Sequence, residues 1–236
     1  MSIITEDSFT GCLICGQELT YAMPQKELVC AMCGKAVLAD IACRAGHFVC
    51  DDCHNSGATA IFAFLSASIE KNPLRLLERL FNMDAVHMHG PEHHIIIPAL
   101  LVTAYHNNGG KIDYKQALAW AAKRGRQLPG GICGFWGACG AAIGAGIYAA
   151  IVMSSHPLNK QNWPIPQQLC ADTLAEIALL GGPRCCKRTS FIAISQSIKF
   201  TREKLGINMP EDTIVCHFSA VNKECLYDNC PYYLGE

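Results

Sequence analysis

The sequence predicts a mainly α-helical protein in which a helical main domain follows a small module stapled by zinc. Paired cysteines are concentrated in residues 1–55, whereas apolar residues recur at helical spacing through residues 56–236. Half of the residues are apolar and only 17% are charged, which favours a well-buried main domain. We therefore expect a treble-clef or zinc-ribbon-like module at 1–55 and a cysteine-rich helical domain at 56–236.

The N-terminal module contains four pairs of residues that are typical zinc ligands. Two Cys-x2-Cys-Gly motifs come first, and a Cys-x3-His pair and a third Cys-x2-Cys pair follow. Eight ligands are enough for two tetrahedral zinc ions. A module of this length has too small a core to fold without such metal sites. One zinc ribbon built from the first four cysteines, disulfides or a rubredoxin-like iron are the alternatives. The candidate ligands are Cys12, Cys15, Cys30, Cys33, Cys43, His47, Cys50 and Cys53.

The abundance of cysteine also bears on the compartment. The chain contains 15 cysteines, and residues 1–12 have neither a basic nor an apolar segment of the kind that directs secretion. We therefore expect a cytoplasmic protein in which cysteine pairs serve as metal or redox sites and not as disulfides.

The run from Cys30 to Cys53 resembles the core of RING-type and related treble-clef, cross-braced zinc fingers. Its spacing, C-x2-C-x9-C-x3-H-x2-C-x2-C, fits the first six RING ligands, but the remaining Cys-x2-Cys pair precedes this core. Cross-bracing implies two interleaved ligand groups. One would be Cys30, Cys33, Cys50 and Cys53, and the other Cys12, Cys15, Cys43 and His47.

Helix-capping residues divide the main domain into helices. Ser56 is a plausible N-cap, and the Asn72-Pro73 pair breaks the chain and begins a second helix. Asp113 precedes another helical pattern, and Thr189 or Ser190 is expected to cap the last long helix.

A histidine-rich segment forms the first cluster of chemical interest in the main domain. Four of the nine histidines lie within eight residues, namely His87, His89, His93 and His94. Imidazoles bind metals and exchange protons near neutral pH. The alternative is a solvated loop and a helix start in which His93 or His94 makes a structural hydrogen bond.

A glycine- and cysteine-rich stretch, residues 129–146, holds Cys133 and Cys139. We expect its helix to begin near residues 135–137 and the helix dipole to stabilise thiolates there. Glycines 137, 140 and 144 would form one helix face without side chains, on which another element could pack closely. A packing role alone is one alternative, and a membrane span is another because residues 130–155 carry no charge.

The remaining cysteines lie in a second Gly-rich loop and in the C-terminal tail. Cys185 and Cys186 stand between Arg184 and Lys187, whose charges are expected to lower the thiol pKa values. Together with the previous stretch and the tail, they predict an iron–sulfur cluster or redox thiols in residues 56–236. The proposed cofactor ligands are Cys133, Cys139, Cys185, Cys186, Cys216, Cys225 and Cys230.

The motifs MHGPEHH, GGICGFWGACGAAIGAG and GGPRCC, with the final cysteines, resemble a cysteine-rich family of unknown function from anaerobic archaea and bacteria. The resemblance covers most of residues 56–236. It implies an anaerobic cytoplasmic setting and work in redox, methyl-transfer or metallocofactor metabolism.

Three functions follow from these motifs. The first is electron transfer, sulfur transfer or reductive chemistry, with Cys133, Cys139, Cys185, Cys186 and His93 as candidate catalytic residues. The second is a non-enzymatic adaptor whose zinc module recruits a protein partner such as a methyltransferase or radical enzyme. The third is a zinc hydrolase built on the histidine segment, although no HExxH motif is present.

Nucleic-acid and dinucleotide binding are not expected. Lys26, Lys35 and Arg44 are the only Lys or Arg residues in 1–55, and Asp and Glu outnumber them there. The sequence GAAIGAG is rich in glycine, but no strand precedes it, so it does not predict a dinucleotide site.

Overall fold

The computed structural model describes residues 11–235, apart from the side chains of residues 22–24. The prediction about a secretion signal therefore falls mainly on residues outside the described part of the chain. The N-terminal module is an antiparallel hairpin of β1 (Leu19–Val29) and β2 (Ala36–Cys43). Its register is irregular between Tyr21 and Lys26. A short helix, α1 (Asp51–His54), ends the module.

Helices form the remainder of the fold, which confirms the mainly α-helical prediction. In chain order they are α2 (Ala58–Ala67), α3 (Pro73–Phe81), α4 (Glu92–Asn107), α5 (Tyr114–Gly125), α6 (Ile132–Phe135), α7 (Gly140–Val152), α8 (Pro164–Leu180) and α9 (Cys186–Leu205).

Helix α4 is the centre of the helical domain. Every residue from Glu92 to Tyr105 is buried, because α2, α3, α5, α7 and α9 pack around this helix. A helix that is apolar on all sides is stable only in such an interior position. The core therefore fixes the first turn of α4, where Glu92, His93 and His94 lie.

Two of the predicted helix caps are present. The Asn72 side chain accepts a hydrogen bond from the backbone N–H of Leu74 at 2.9 Å, and Pro73 occupies the first turn of α3. Asp113 accepts from the N–H of Gln116 at 3.0 Å at the start of α5. These side chains satisfy N–H groups that have no partner within their own helix.

Two other predicted helix starts are wrong. Gly57 and not Ser56 precedes α2, and α9 begins before Thr189 and Ser190. The N-cap of α9 is Cys185, whose Sγ accepts from the N–H of Arg188 at 3.4 Å. A thiol was not considered as a cap because oxygen-bearing side chains are the usual ones.

The Gly- and Cys-rich stretch forms two helices, with no helix start at residues 135–137. Gly137 has a φ of 66°, a left-handed conformation that interrupts the chain between α6 and α7. Only part of the predicted glycine stripe packs closely. A Cβ on Gly140 would overlap the ring of His94, and one on Gly144 would lie 3.0 Å from Ile97, whereas nothing lies near Gly137.

The C-terminal segment after α9 is largely irregular and lies against α9. Its regular element is one 3-10 turn at Tyr227–Asn229. The N–H of Cys216 donates to the carbonyl of Tyr232 at 2.8 Å, which brings the two ends of this segment together. None of the described helices, α7 included, is both long and apolar enough to cross a membrane.

Candidate metal centres and interface cavity

The first group of metal-ligating side chains lies at the open end of the hairpin. Its ligand atoms lie within 4.8 Å of one another. The Sγ atoms of Cys15 and Cys43 are 3.8 Å apart, and His47 Nδ1 is 3.3 Å from the Sγ of Cys15. Ligands of a tetrahedral zinc ion with Zn–S bonds of about 2.3 Å lie about this far apart. The group consists of Cys12, Cys15, Cys43 and His47.

The second group lies between the hairpin turn and α1. The Sγ atoms of Cys33 and Cys50 are 3.7 Å apart. Burial disfavours the Cys30 thiolate, but N–H groups of Cys50, Cys33 and Met32 outweigh it and lower the pKa of Cys30 to about 6. Burial raises the pKa of Cys50, and the hydrogen bond with Cys33 raises the pKa of Cys53 to about 12, because thiols that share one site cannot all ionise without a cation. The group is suited to a cation, since thiolates are the zinc-binding form. Its members are Cys30, Cys33, Cys50 and Cys53.

The two groups interleave along the chain, with the first and third ligand pairs in one group and the second and fourth in the other. This is the arrangement implied by the resemblance to cross-braced fingers. The two groups fit two metal ions, for which zinc is a plausible choice given the thiolate-rich donor sets.

The N-terminal module packs directly on the helical domain. The N–H of Gly130 donates to Asp51 Oδ2 at 3.1 Å, and the rings of Tyr21 and Phe135 lie 6.0 Å apart. The guanidinium of Arg184 lies over the Tyr21 ring at 5.2 Å from its centroid. These contacts tie the hairpin and α1 to the two Gly-rich loops.

Between these two parts lies a cavity of about 670 Å³. The hairpin and α1 form one wall, and the histidine segment and both Gly-rich loops form the other. A cavity of this size is typical of small-molecule sites. The polar and reactive groups that line it include His54, His87, His89, His94, Cys133, Arg184, Cys186 and Glu224.

A third group of candidate ligands borders this cavity and joins the N-terminal module to the helical part: His54 and His87 line the cavity, and Glu92 lies behind them. Glu92 is buried, and its two carboxylate oxygens contact different histidines. Oε2 lies 3.0 Å from His54 Nδ1, and Oε1 lies 3.1 Å from His87 Nδ1. All the ligand atoms lie within 4.8 Å of one another.

The structure separates the four histidines that the sequence groups together, and only His87 enters a described ligand group. His89 Nε2 lies 3.0 Å from Glu224 Oε2 and ties the segment to the tail. The buried rings of His93 and His94 each contact a backbone carbonyl, that of His87 at 3.0 Å and that of Leu128 at 3.1 Å. Burial lowers the pKa of His93 to about 3, so this ring is neutral near pH 7.

The seven proposed cofactor cysteines do not meet at one point. Cys133 and Cys186 line the interface cavity, and Cys139 caps α7 beside the core. The other four surround a small void between the start of α9 and the tail. They are Cys185, Cys216, Cys225 and Cys230.

The tail group receives hydrogen bonds of the kind that stabilise thiolates. The N–H groups of Arg188 and Tyr227 donate to Cys185 and Cys225, each at 3.4 Å, and Asn222 Nδ2 donates to Cys185 at 3.5 Å. Among the described residues, the ligand groups held within 4.8 Å do not include these cysteines. Their sulfur atoms are therefore spread more widely than the roughly 3.8 Å edges of a tetrahedral zinc–thiolate site.

The expectation that neighbouring cations lower the thiol pKa values in GGPRCC is wrong. Burial raises the pKa of Cys186 to about 12 and also raises the pKa of Cys185, although Arg184 and Arg188 oppose the shifts. Burial likewise raises the pKa of Cys139 at the start of α7. Desolvation outweighs the helix dipole and the neighbouring charges because these sulfur atoms lie inside the protein.

Two residues of the interface site were not included among the sequence-predicted ligands. His54 directly follows Cys53, and Glu92 lies within the HGPEHH motif, so each adjoins a recognised motif. The sequence does not show that these two residues meet, because 38 residues separate them and only the packing of the N-terminal module on the helices brings them together.

Comparison with known proteins identifies the family of this chain. No curated protein and no solved structure matches the chain. A family model described as "Family of unknown function (DUF5714)" matches residues 61–233, which include α3 to α9 and the cysteines of the tail. The match covers well over half of the chain, and the protein therefore belongs to this family of unknown function.

Proposed function

We propose that this is a cytoplasmic iron–sulfur protein of anaerobic metabolism that carries out electron transfer, sulfur transfer or reductive chemistry on a small molecule. Two zinc ions would hold the N-terminal module. A cluster would be ligated by the tail group, namely Cys185, Cys216, Cys225 and Cys230, and the substrate would enter the interface cavity.

The observation that carries this proposal is the tail group itself. Four cysteines from α9 and an otherwise irregular segment line one void, and four thiolates are the usual ligand set of a cluster. Among the described residues these cysteines form no group within 4.8 Å, so their sulfur atoms are spread too widely for one zinc ion. The void between them is about 10 Å³ and would have to open to admit a larger inorganic core. N–H donors to Cys185 and Cys225 would stabilise the cluster and tune its potential.

The proximity of the interface cavity supports a reductive role. Cys186 follows the cluster ligand Cys185 and lines the cavity, so an electron leaving the cluster would have a short covalent path to a bound molecule. When bound, the cluster would supply one electron at a time. The protein would bind and orient the substrate with Arg184, His89 and the aromatic residues of the cavity wall.

Anaerobic reconstitution of the full chain with iron and sulfide tests the proposal. The wild type should become brown and contain equal amounts of iron and acid-labile sulfide, whereas Cys225→Ser should lose most of both. Cys170→Ser is the matched control, because Cys170 lies on α8 away from the tail void. Wild-type protein that remains colourless would refute the cluster.

An adaptor role is the second candidate, and the surface of the zinc module favours it. Val29, Met32 and Leu38 are 63%, 55% and 67% exposed on the hairpin, an apolar surface suited to a protein partner. In that case anaerobic protein would contain zinc without iron or sulfide. Variants of Cys185 would then affect folding and no redox property.

A further inference from the structure

The buried carboxylate of Glu92 has more partners than a structural ion pair requires. Besides the two histidine contacts, its Oε1 accepts from the N–H of His87 at 2.9 Å. The carboxylate is 1% exposed, and a Cβ on Gly90 would overlap it. The chain is therefore shaped to hold this group at one position, behind two histidines that line the cavity.

The spacing of the three side chains matches the first coordination shell of a metal ion. When ligand atoms bind an ion at about 2.0–2.2 Å, with ligand–metal–ligand angles between the octahedral and the tetrahedral value, neighbouring ligand atoms lie about 2.9–3.5 Å apart. The two nitrogen–oxygen distances, 3.0 Å to Oε2 and 3.1 Å to Oε1, fall in this range for a carboxylate that offers both oxygens. With one ligand atom from each residue, the three atoms lie within 4.8 Å of one another. Two imidazoles and one carboxylate are also the ligand set of a facial triad, which leaves further positions open.

The surroundings of His87 support a ligand role because they fix its backbone. Its carbonyl lies 3.0 Å from His93 Nε2 and accepts from Lys187 Nζ at 2.9 Å. Lys187 lies in turn over the rings of Phe81 and Phe218. Such outer contacts orient a metal ligand before the ion arrives.

We propose that His54, His87 and Glu92 form a third metal site, which binds a divalent first-row transition ion such as Fe²⁺, Co²⁺ or Zn²⁺ with nitrogen and oxygen ligands. His54 and His87 both line the interface cavity, so the open positions of the ion are available to water or a small molecule there. The site is separate from the tail group and independent of the cluster proposal.

The location of the ligands couples this site to the zinc module. His54 is the last residue of α1 and follows Cys53 of the second zinc group. Glu92 begins α4, the central helix of the other domain. The third ion therefore binds only when the two domains are docked, and in return it stabilises the docked state.

Cobalt binding to the full-length protein, first loaded with only two equivalents of zinc so that the thiolate-rich sites take the zinc and the third site stays available, tests this site. Cobalt bound to nitrogen and oxygen should give weak ligand-field bands without a thiolate-to-cobalt charge-transfer band. The wild type should bind one such equivalent, and His87→Ala and Glu92→Gln should each lose it while retaining their zinc. His106→Ala, which removes an exposed histidine on α4 outside the site, should bind as the wild type does.

Loss of cobalt binding in the two variants must be distinguished from misfolding. Glu92→Gln preserves the size of the side chain, and retained zinc together with an unchanged circular dichroism spectrum establishes that each variant is folded. Wild-type protein without the thiolate-free equivalent would overturn the proposal. Full cobalt binding by both folded variants would also overturn it. Since iron and sulfide are not added, failure here is distinguishable from failure of the cluster.

Discussion

Cys185 and Cys186 are neighbours in the chain but belong to different sites. Cys185 is buried at the tail void, and Cys186 lines the cavity between the two domains. The start of α9 thus joins a group of four cysteines to a cavity whose lining includes His54 and His87, the two histidines that contact the buried Glu92. This junction is the structural basis for the proposed link between a cluster and a small-molecule site.

Serine substitutions at these two positions should therefore have different effects. Cys185→Ser removes a proposed cluster ligand, so reconstituted protein should lose most of its iron, sulfide and visible absorption. Cys186→Ser leaves all four tail cysteines in place and should retain them. Metal analysis and absorption spectra of the two variants, prepared side by side, check this. Equal loss in both would show that the vicinal pair acts as one site.

Pairs of substitutions distinguish cross-braced from sequential zinc binding. Cys15 and Cys43 lie in the same group, so the double variant Cys15→Ser/Cys43→Ser should lose one zinc ion. Cys15 and Cys33 lie in different groups, so Cys15→Ser/Cys33→Ser should lose both. Zinc content after dialysis is the measurement. In a simple ribbon made of the first four cysteines, Cys15 and Cys33 would share one ion, and their double variant would lose only that one.

Gly140→Ala should destabilise the helical domain. The added methyl group would overlap the ring of His94, and overpacking of this kind costs about 1–3 kcal/mol. Gly134→Ala is the matched control because nothing lies within 4 Å of its Cβ position, and its effect should stay within about 0.5 kcal/mol. Urea denaturation followed by circular dichroism measures both. Equal stability of the two variants would contradict the packing of α7 on α4.

Tyr148→Phe should destabilise the protein by about 1–2 kcal/mol at neutral pH. The buried hydroxyl of Tyr148 lies 2.7 Å from Thr201 Oγ1, which itself donates to the carbonyl of Ser197. Thr201 therefore uses its proton elsewhere, and Tyr148 is the donor between the two hydroxyls. The phenylalanine variant would leave the buried Thr201 oxygen without its donor.

The difference between Tyr148→Phe and the wild type should also depend on pH. Burial raises the pKa of Tyr148 far above its ordinary value of 10.0. Above pH 10 the tyrosine of the unfolded chain ionises and that of the folded protein does not, so wild-type stability falls as pH rises. Above pH 10, the difference in the free energy of unfolding between the wild type and Tyr148→Phe should decrease by up to about 1.4 kcal/mol per pH unit. An unchanged gap at high pH would contradict the buried position.

Local sequence signals predicted the elements that depend on local chemistry. The Cys-x2-Cys spacing identified the zinc module, and Asn72 and Asp113 marked helix starts because a short polar side chain satisfies free N–H groups. The start of α9 was missed, since a cysteine sulfur acts as its cap. The break at Gly137 was missed because a glycine that interrupts a helix is indistinguishable by composition from one that packs within it.

The arrangement of the sites depended on tertiary contacts that no spacing rule describes. The separation of Cys185 from Cys186 follows from which side of α9 faces the tail and which faces the hairpin. The His54–Glu92 contact depends on the docking of two domains. Burial also reversed the expected pKa shift of Cys186, and the sequence contains no direct measure of that burial.

The most direct test of the whole account is simultaneous zinc, iron and acid-labile sulfide analysis of the wild-type protein purified without oxygen. We expect two tightly bound zinc ions together with iron and sulfide in equal amounts. Protein that contains zinc but no sulfide, even after anaerobic reconstitution, would contradict the cluster and leave the four tail cysteines without the role proposed for them.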